Sequence, residues 1–90
     1  MPRVTPEASF VRALQRLPPD RGKAAATSLV KFQKEPGLNS LDFRALRDAP
    51  GHFIINARRG DRIILRKVSE DHFAAVDVGP HDNVYRRWNR

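Results

Sequence analysis

Residues 53–67 read FIINARRGDRIILRK, and this stretch decides the fold. Its two ends, residues 53–57 and 62–67, are rich in β-branched side chains, which a pleated sheet favours. Residues 58–61 between them contain the glycine that is typical of a tight turn. The pattern therefore predicts two antiparallel strands joined by a hairpin turn.

A third strand is predicted at residues 72–78, after a turn at residues 69–71. Glycine and proline interrupt regular structure, so Gly79 and Pro80 are expected to end this strand. A short C-terminal helix should follow them.

The chain before the hairpin carries two helical patterns. Residues 5–7, Thr-Pro-Glu, are typical of a helix start, with a hydroxyl cap, a proline and an acid in the first turn. Apolar residues then follow at helical spacing: Phe10, Leu14 and Leu17, with Val11 beside them. A second helix is predicted from the Pro-Pro-Asp of residues 18–20 to about Lys34, with one apolar face formed by Ala25, Leu29 and Phe32. Residues 38–50 show no clear period and are interpreted as a linking segment.

This order of elements predicts an α+β fold in a single domain that spans residues 1–90. An antiparallel helical hairpin would pack on one face of a small antiparallel sheet formed by a strand meander. A short helix would end the chain. The other face of the sheet would then be left for function.

The chain is strongly basic, with 17 Lys and Arg against 10 Asp and Glu and a formal net charge of +7. Such an excess favours anionic partners such as nucleic acid, an acidic protein segment or anionic lipid. Most of the basic residues are arginines, whose planar guanidinium matches phosphate and carboxylate. The alternative is that the charge only keeps a small protein in solution.

The sequence contains no cysteine, which excludes disulfides and thiolate metal sites. The three histidines, His52, His72 and His81, do not have the spacing of metal ligands. The first residues lack the apolar run of a signal peptide, and no stretch approaches the roughly 20 apolar residues that span a bilayer. We therefore expect a cytoplasmic protein with no metal, no cofactor and no membrane partner.

Four arginines cluster around the predicted hairpin. Alternate residues of a strand share a face, so Arg62 and Arg66 should point to the same side of the sheet. Arg58 and Arg59 lie in the adjoining turn. Together they predict a phosphate cradle on the sheet. The alternative is a solvated hairpin in which these arginines pair with nearby carboxylates, namely Asp61, Asp71 or Asp77.

The C-terminal helix would place His81, Tyr85 and Trp88 on one face, because they lie at i, i+4 and i+7. RNA cleavage without a metal needs a group that transfers protons and a cation that holds the phosphate. An imidazole titrates near about pH 6.5 and serves as acid or base, a guanidinium holds the phosphate, and a phenol stacks or donates a hydrogen bond. RNA would be the substrate, because DNA lacks the 2′-hydroxyl nucleophile. The alternative is that the three rings only pack against the sheet.

Several short motifs resemble the RelE/ParE superfamily of type II toxin–antitoxin systems. Residues 78–81, Val-Gly-Pro-His, and 84–86, Val-Tyr-Arg, are similar to the ending of that family. Residues 51–53, Gly-His-Phe, with Arg62 on the next strand, fit its hairpin. The resemblance covers most of the chain.

For the RelE-like branch, the resemblance implies an endoribonuclease that cleaves mRNA in the ribosomal A site and thereby inhibits translation. The 2′-hydroxyl would attack the adjacent phosphate. Arg62 would bind that phosphate, His81 occupies the position of the proton-transfer residue, and Tyr85 matches the family's C-terminal tyrosine. The auxiliary nucleic-acid contacts would be Arg58, Arg59, Arg66 and Arg86.

The ParE-like branch shares the fold, acts on DNA gyrase and lacks the catalytic set. Residues 54–56, Ile-Ile-Asn, favour this branch, because ribonuclease members often carry basic residues there, whereas His81 and Tyr85 together favour the ribonuclease. A basic module that only binds RNA or protein is the third interpretation. Either toxin implies a cognate antitoxin, expected to be acidic and partly disordered when free.

Overall fold

The computed structural model describes residues 1–88 and contains three helices and a five-stranded sheet. The helices are α1 (Ala8–Gln15), α2 (Pro19–Lys34) and α3 (His81–Trp88). The strands are β1 (Arg3–Pro6), β2 (Arg44–Ala45), β3 (His52–Asn56), β4 (Asp61–Ser69) and β5 (His72–Pro80). They lie in the order β1-β5-β4-β3-β2, and short 3₁₀ turns occupy Asn39–Leu41 and Arg58–Gly60.

The predicted α+β fold, with its helical hairpin, antiparallel meander and C-terminal helix, is confirmed. In the hairpin, Phe53 lies opposite Leu65 and Asn56 lies opposite Arg62. The turn between them has two residues in the left-handed region, Arg59 at φ 60° and Gly60 at φ 82°. Glycine adopts that conformation without steric cost, which explains its place in this turn.

The predicted helix start at residues 5–7 is wrong. Thr5 and Pro6 belong to β1, which pairs in parallel with β5, so the sheet is mixed rather than purely antiparallel. The helix begins only at Ala8, and the backbone N–H of Glu7 donates to the carbonyl of Ala75 at 2.9 Å. The exposed edge of β5 offers these residues backbone partners, and such tertiary pairing overrides a local helix signal.

Two further boundaries differ from the prediction. β5 ends at Gly79 and Pro80 as predicted, but both residues belong to the strand and pair with Arg62 and Asp61, so α3 starts directly after it at His81. The segment of residues 38–50 is more than a linker, because it contributes β2 at the edge of the sheet. The edge position tolerates a strand of only two residues, and Pro80 is tolerated because it is the last residue of β5, beyond the part that pairs with β1.

The sheet carries a hydrophobic core on each face. The first core lies under the helical hairpin, as predicted for the apolar stripes of α1 and α2, although Val11 is 40% exposed. Its buried members include Phe10, Ala25, Phe32, Ile55, Ile63 and Leu65. The second core lies on the opposite face and is covered by α3, with Leu46, Ile54, Ile64, Ala74, Val76 and Val84 as its buried members.

A β-bulge explains how α3 is anchored to this second face. Ile64 pairs with Asp77 and Leu65 pairs with Ala75, which leaves Val76 as the extra residue of β5. Val76 packs in the core under α3, and the next side chain, Asp77, contacts α3 as well. Its Oδ2 accepts hydrogen bonds from Arg87 Nε at 2.8 Å and from Trp88 Nε1 at 2.7 Å. The bulge therefore directs two consecutive side chains to one face, where they hold the last turn of the helix.

Asp77→Ala is expected to loosen the end of α3 and to lower the free energy of unfolding by about 1.5–3 kcal/mol, the range for hydrogen bonds to a charged group. Trp88 is the single tryptophan, so its fluorescence emission should move to longer wavelength as the indole loses its acceptor and meets water. Glu70→Ala is the matched control, because that carboxylate is 90% exposed. An unchanged emission maximum in Asp77→Ala would show that the other contacts of α3 hold its last turn without this carboxylate.

A partly buried ion pair joins α2 to the start of β4. Arg21 donates through Nε and Nη2 to the two carboxylate oxygens of Asp61, at 2.9 and 2.5 Å. The Asp61 side chain is 1% exposed and that of Arg21 is 26% exposed. The hydrogen bond with Asp61 is the main cause that raises the pKa of Arg21. The pair fixes the helical hairpin to the sheet.

No helix among residues 1–88 combines the length and the apolar character needed to cross a membrane.

Candidate functional site

Tyr85 is the centre of a polar network on the face of the sheet that α3 covers. Its hydroxyl oxygen accepts a hydrogen bond of 2.7 Å from Nη2 of Arg44 in β2. Nη1 of the same guanidinium donates to Asn56 Oδ1 in β3 at 3.2 Å and to the backbone carbonyl of Asp42 at 2.5 Å. It also lies 3.0 Å from the Asp42 carboxylate. Three separate elements, β2, β3 and α3, therefore meet at one arginine.

His81 packs against Tyr85 at the first turn of α3. The two ring centroids are 4.4 Å apart, with an angle of 55° between the planes, as the i, i+4 spacing requires. Nδ1 of His81 lies 3.1 Å from the Asp82 carboxylate, and the side chain is 52% exposed. The imidazole is thus open to solvent on one side and backed by the phenol on the other.

Trp88 is the last residue of the same helix and lies at the other end of this helix face. Its indole contacts His52 with 5.2 Å between ring centroids and donates to Asp77. Trp88, the third ring of the predicted helix face, therefore packs against the sheet, whereas His81 and Tyr85 border solvent.

Arg62 lies at the same end of the sheet as His81 and Tyr85. It pairs with Asn56 on one side and with Gly79 on the other, two residues before the first residue of α3. Its Nη1 donates to the Asp61 carbonyl at 2.9 Å, but Nε is buried and has no hydrogen-bond partner within residues 1–88. A buried donor without an acceptor is costly, and a phosphate, whose oxygens are preferred acceptors for a guanidinium, would contact the exposed part of this half-buried side chain.

The other predicted arginines do not gather into one cradle. Arg66 lies four residues further along β4, about 13 Å from Arg62 at the rise of a strand, and pairs with Glu7 at 2.5 Å. Arg59 pairs with Asp20 of α2 at 2.8 Å, and Arg58 is exposed in the turn. Arg86 is exposed on α3, next to Tyr85 in the chain. Arg59 and Arg66 therefore pair with carboxylates, although not with those that the sequence analysis named.

Arg44 is the residue that the sequence analysis missed. It lies in the segment without periodicity, and 41 residues separate it from Tyr85. No local pattern marks it, because its position depends on the pairing of Arg44 with Ile54 at the sheet edge.

A second concave surface lies on the other side of α3, between that helix and α1; we call it the α1–α3 groove. Its volume is about 700 Å³, and its charged lining consists of Glu7, Arg12, Arg16, Arg66, Asp77 and Arg87. The carboxylates of Glu7 and Asp77 are paired with Arg66 and Arg87. The side chains of Arg12 and Arg16 make no hydrogen bond or ion pair with any of the described residues. The groove therefore presents uncompensated positive charge.

Within residues 1–88, no three His, Asp or Glu side chains lie close enough together to hold a metal ion.

No family model and no curated protein sequence matches the chain. Solved structures do match it. A chain of the RelB–RelE antitoxin–toxin complex from Methanococcus jannaschii is 19% identical, with a TM-score of 0.70 over 92% of this chain and 96% of that chain. The toxin–antitoxin complex RelBE2 from Mycobacterium tuberculosis gives 22% identity and a TM-score of 0.70, over 89% of this chain and 99% of that one.

The isolated RelE toxin of E. coli is also similar, with 16% identity and a TM-score of 0.67 over 97% of this chain and 98% of that chain. These sequence identities are low, but each alignment covers nearly the whole of both compared chains. The likeness therefore concerns the whole arrangement of helices and strands rather than one motif. By its fold, this chain is RelE-like.

Proposed function

We propose that the chain is the toxin of a type II toxin–antitoxin system and acts in the cytoplasm as a metal-independent endoribonuclease on mRNA at the ribosome. The RelE fold supports the toxin assignment. One observation carries the reaction: the pair of His81 and Tyr85 lies at the end of the sheet where Arg62 has a buried donor without an acceptor.

The chemistry follows from these groups. The 2′-hydroxyl gives its proton to water, its oxygen forms a bond to the adjacent phosphorus, and the bond from phosphorus to the 5′-oxygen breaks, which leaves a cyclic phosphate and a free 5′-hydroxyl. Arg62 holds the phosphate and the negative charge that develops on it. His81 transfers a proton to the leaving 5′-oxygen, since its imidazole is exposed to solvent. Tyr85 stacks on a base or helps to activate the 2′-hydroxyl.

The proposed partner is an antitoxin of the kind seen in the RelB–RelE complexes. The net charge of +7 favours an acidic chain, both by long-range steering and by direct pairing. The α1–α3 groove supplies two arginines, Arg12 and Arg16, that have no carboxylate of their own among the described residues. An antitoxin that is partly disordered when free would order as it binds.

A second candidate is a toxin that inhibits DNA gyrase without catalysis. It is favoured by β3, which brings Ile54 and Asn56 rather than a cation to the face under α3. The Tyr85 oxygen is also occupied by Arg44.

Induced expression followed by primer extension on cellular mRNA tests the proposal. The ribonuclease predicts growth arrest together with new mRNA 5′ ends inside translated codons, and both should disappear when the antitoxin is co-expressed. Purified gyrase provides the comparison, since its supercoiling activity should be unaffected. Intact mRNA with inhibited supercoiling would select the gyrase toxin, and no growth effect at all would leave only a basic binding module.

A further inference from the structure

We propose that Arg44 is a positioning residue of the cleavage site, which acts by fixing the orientation of the Tyr85 hydroxyl. The inference rests on the proposed function and adds to it a residue from outside the sequence motifs. Arg44 does not need to touch RNA for this role. It acts through the phenol, to which Nη2 donates at 2.7 Å.

The direction of that hydrogen bond determines what the phenol offers to a substrate. A guanidinium has donors only, so the Tyr85 oxygen must be the acceptor. The hydroxyl proton is then directed away from Arg44. No acceptor among residues 1–88 takes it, so the hydroxyl remains available as a donor, on a phenol whose ring packs against His81. A phosphate oxygen or a ribose hydroxyl is the chemical group that would receive it.

The guanidinium itself is held in a single orientation. Its Nη1 is bound to Asn56, to the Asp42 carbonyl and to the Asp42 carboxylate, and its side chain is 31% exposed. Asp42 takes the left-handed conformation, at φ 47°, directly after the 3₁₀ turn. A planar fork that is fixed at one end positions what it binds at the other end better than a lone ammonium would. This geometry predicts that charge alone cannot replace Arg44.

The network also explains how the site is coupled to the sheet. Asn56, which binds Arg44, is the cross-strand partner of Arg62. The phosphate-binding residue and the phenol are therefore held in a fixed relation through two side chains. A shift of about 1 Å in such an arrangement costs on the order of 100-fold in rate.

A double-mutant cycle with Tyr85→Phe distinguishes positioning from mere structural support. The measured quantity is the single-turnover cleavage rate of a defined mRNA on programmed ribosomes. Arg44→Ala should lower this rate by about 10- to 100-fold. In a Tyr85→Phe background the same change should cost less than about 2-fold, because the hydroxyl through which it acts is already absent. Arg44→Lys keeps the charge and the aliphatic stem, and it should recover only a small part of the rate.

Arg3→Ala is the matched control, since it removes the same charge from β1, the opposite edge of the sheet, and should leave the rate unchanged. Thermal unfolding of every variant checks that the fold persists. Because Tyr85 is the single tyrosine, the tyrosine Raman doublet also reports directly whether its oxygen has lost the donor.

Additive effects in the cycle, or full activity in Arg44→Lys, would overturn the inference while leaving the ribonuclease in place. If Arg44→Ala does not fold, Arg44→Lys takes its place in the cycle with Tyr85→Phe. Additive effects, or full activity of Arg44→Lys, would again overturn the inference. A wild-type chain that cleaves no mRNA would instead overturn the proposed function and this inference together.

Discussion

Replacing His81 with alanine should lower the rate of mRNA cleavage by about 10²- to 10⁴-fold, the usual contribution of a positioned general acid or base. The variant loses the group that we assign to protonation of the leaving 5′-oxygen. Its fold should persist, because the His81 side chain is 52% exposed and its polar contact is to the neighbouring Asp82. The helix should also persist, since Val84 is fully buried in the second core and Asp77 holds the last turn.

Single-turnover cleavage on programmed ribosomes measures this effect, and relief of growth arrest in cells provides an independent reading. His72→Ala is the matched control. That histidine begins β5 at the other end of the strand from His81 and contacts Thr5 at 2.7 Å. The His72→Ala variant should cleave mRNA at the wild-type rate. A His81→Ala protein that cleaves at an undiminished rate would remove this residue from the mechanism.

Replacing Arg21 with leucine should produce the largest loss of stability of any change considered. It leaves the carboxylate of Asp61, which is 1% exposed, without its cation. An uncompensated buried charge costs about 3–5 kcal/mol. In a chain of this size such a loss lowers the melting temperature by more than about 10 °C. The helical hairpin should separate from β4 first, because this ion pair joins the two.

Thermal and urea unfolding measure this loss, with Lys23→Leu as the control on the same helix, where the side chain is exposed. The double variant Arg21→Leu/Asp61→Leu sharpens the test. It removes both charges, so it should recover much of the stability that the single variant loses. A double variant as unstable as Arg21→Leu would contradict the explanation and indicate a packing defect instead.

The pH dependence of this contribution has a definite sign. The hydrogen bond with Asp61 raises the pKa of Arg21 above its value in the unfolded chain. Stability from the cation is therefore fully present below the unfolded pKa and is lost only as the pH rises through the folded one. Titration of Arg21 should therefore not reduce, anywhere in the neutral pH range, the difference in the free energy of unfolding between wild type and Arg21→Leu.

Much of the fold could be predicted because its signals are local. The alternating and β-branched pattern of residues 53–67 suffices to define a hairpin, and the structure pairs Asn56 with Arg62 across it. The helical spacing that ends near Lys34 matches α2 to its last residue. The same local periodicity brought His81 and Tyr85 together on one helix face, where the rings indeed pack.

The failures have a common physical cause, which is that the deciding partner lies far away in sequence. Thr5 and Pro6 become a strand because the edge of β5, nearly 70 residues later, offers hydrogen bonds to their backbone. Arg66 is paired with Glu7 across 59 residues, so it does not join Arg62 in a phosphate cradle.

The sequence by itself determined the order of helices and strands, the two faces of the hairpin and the positive charge, because each depends on residues that are close together in the chain. Only the tertiary structure decided where β1 and β2 pair, which arginines have carboxylate partners, and that Arg44 reaches Tyr85. Those outcomes depend on contacts between distant segments, and a hydrogen bond across 41 residues leaves no periodicity in the chain that makes it.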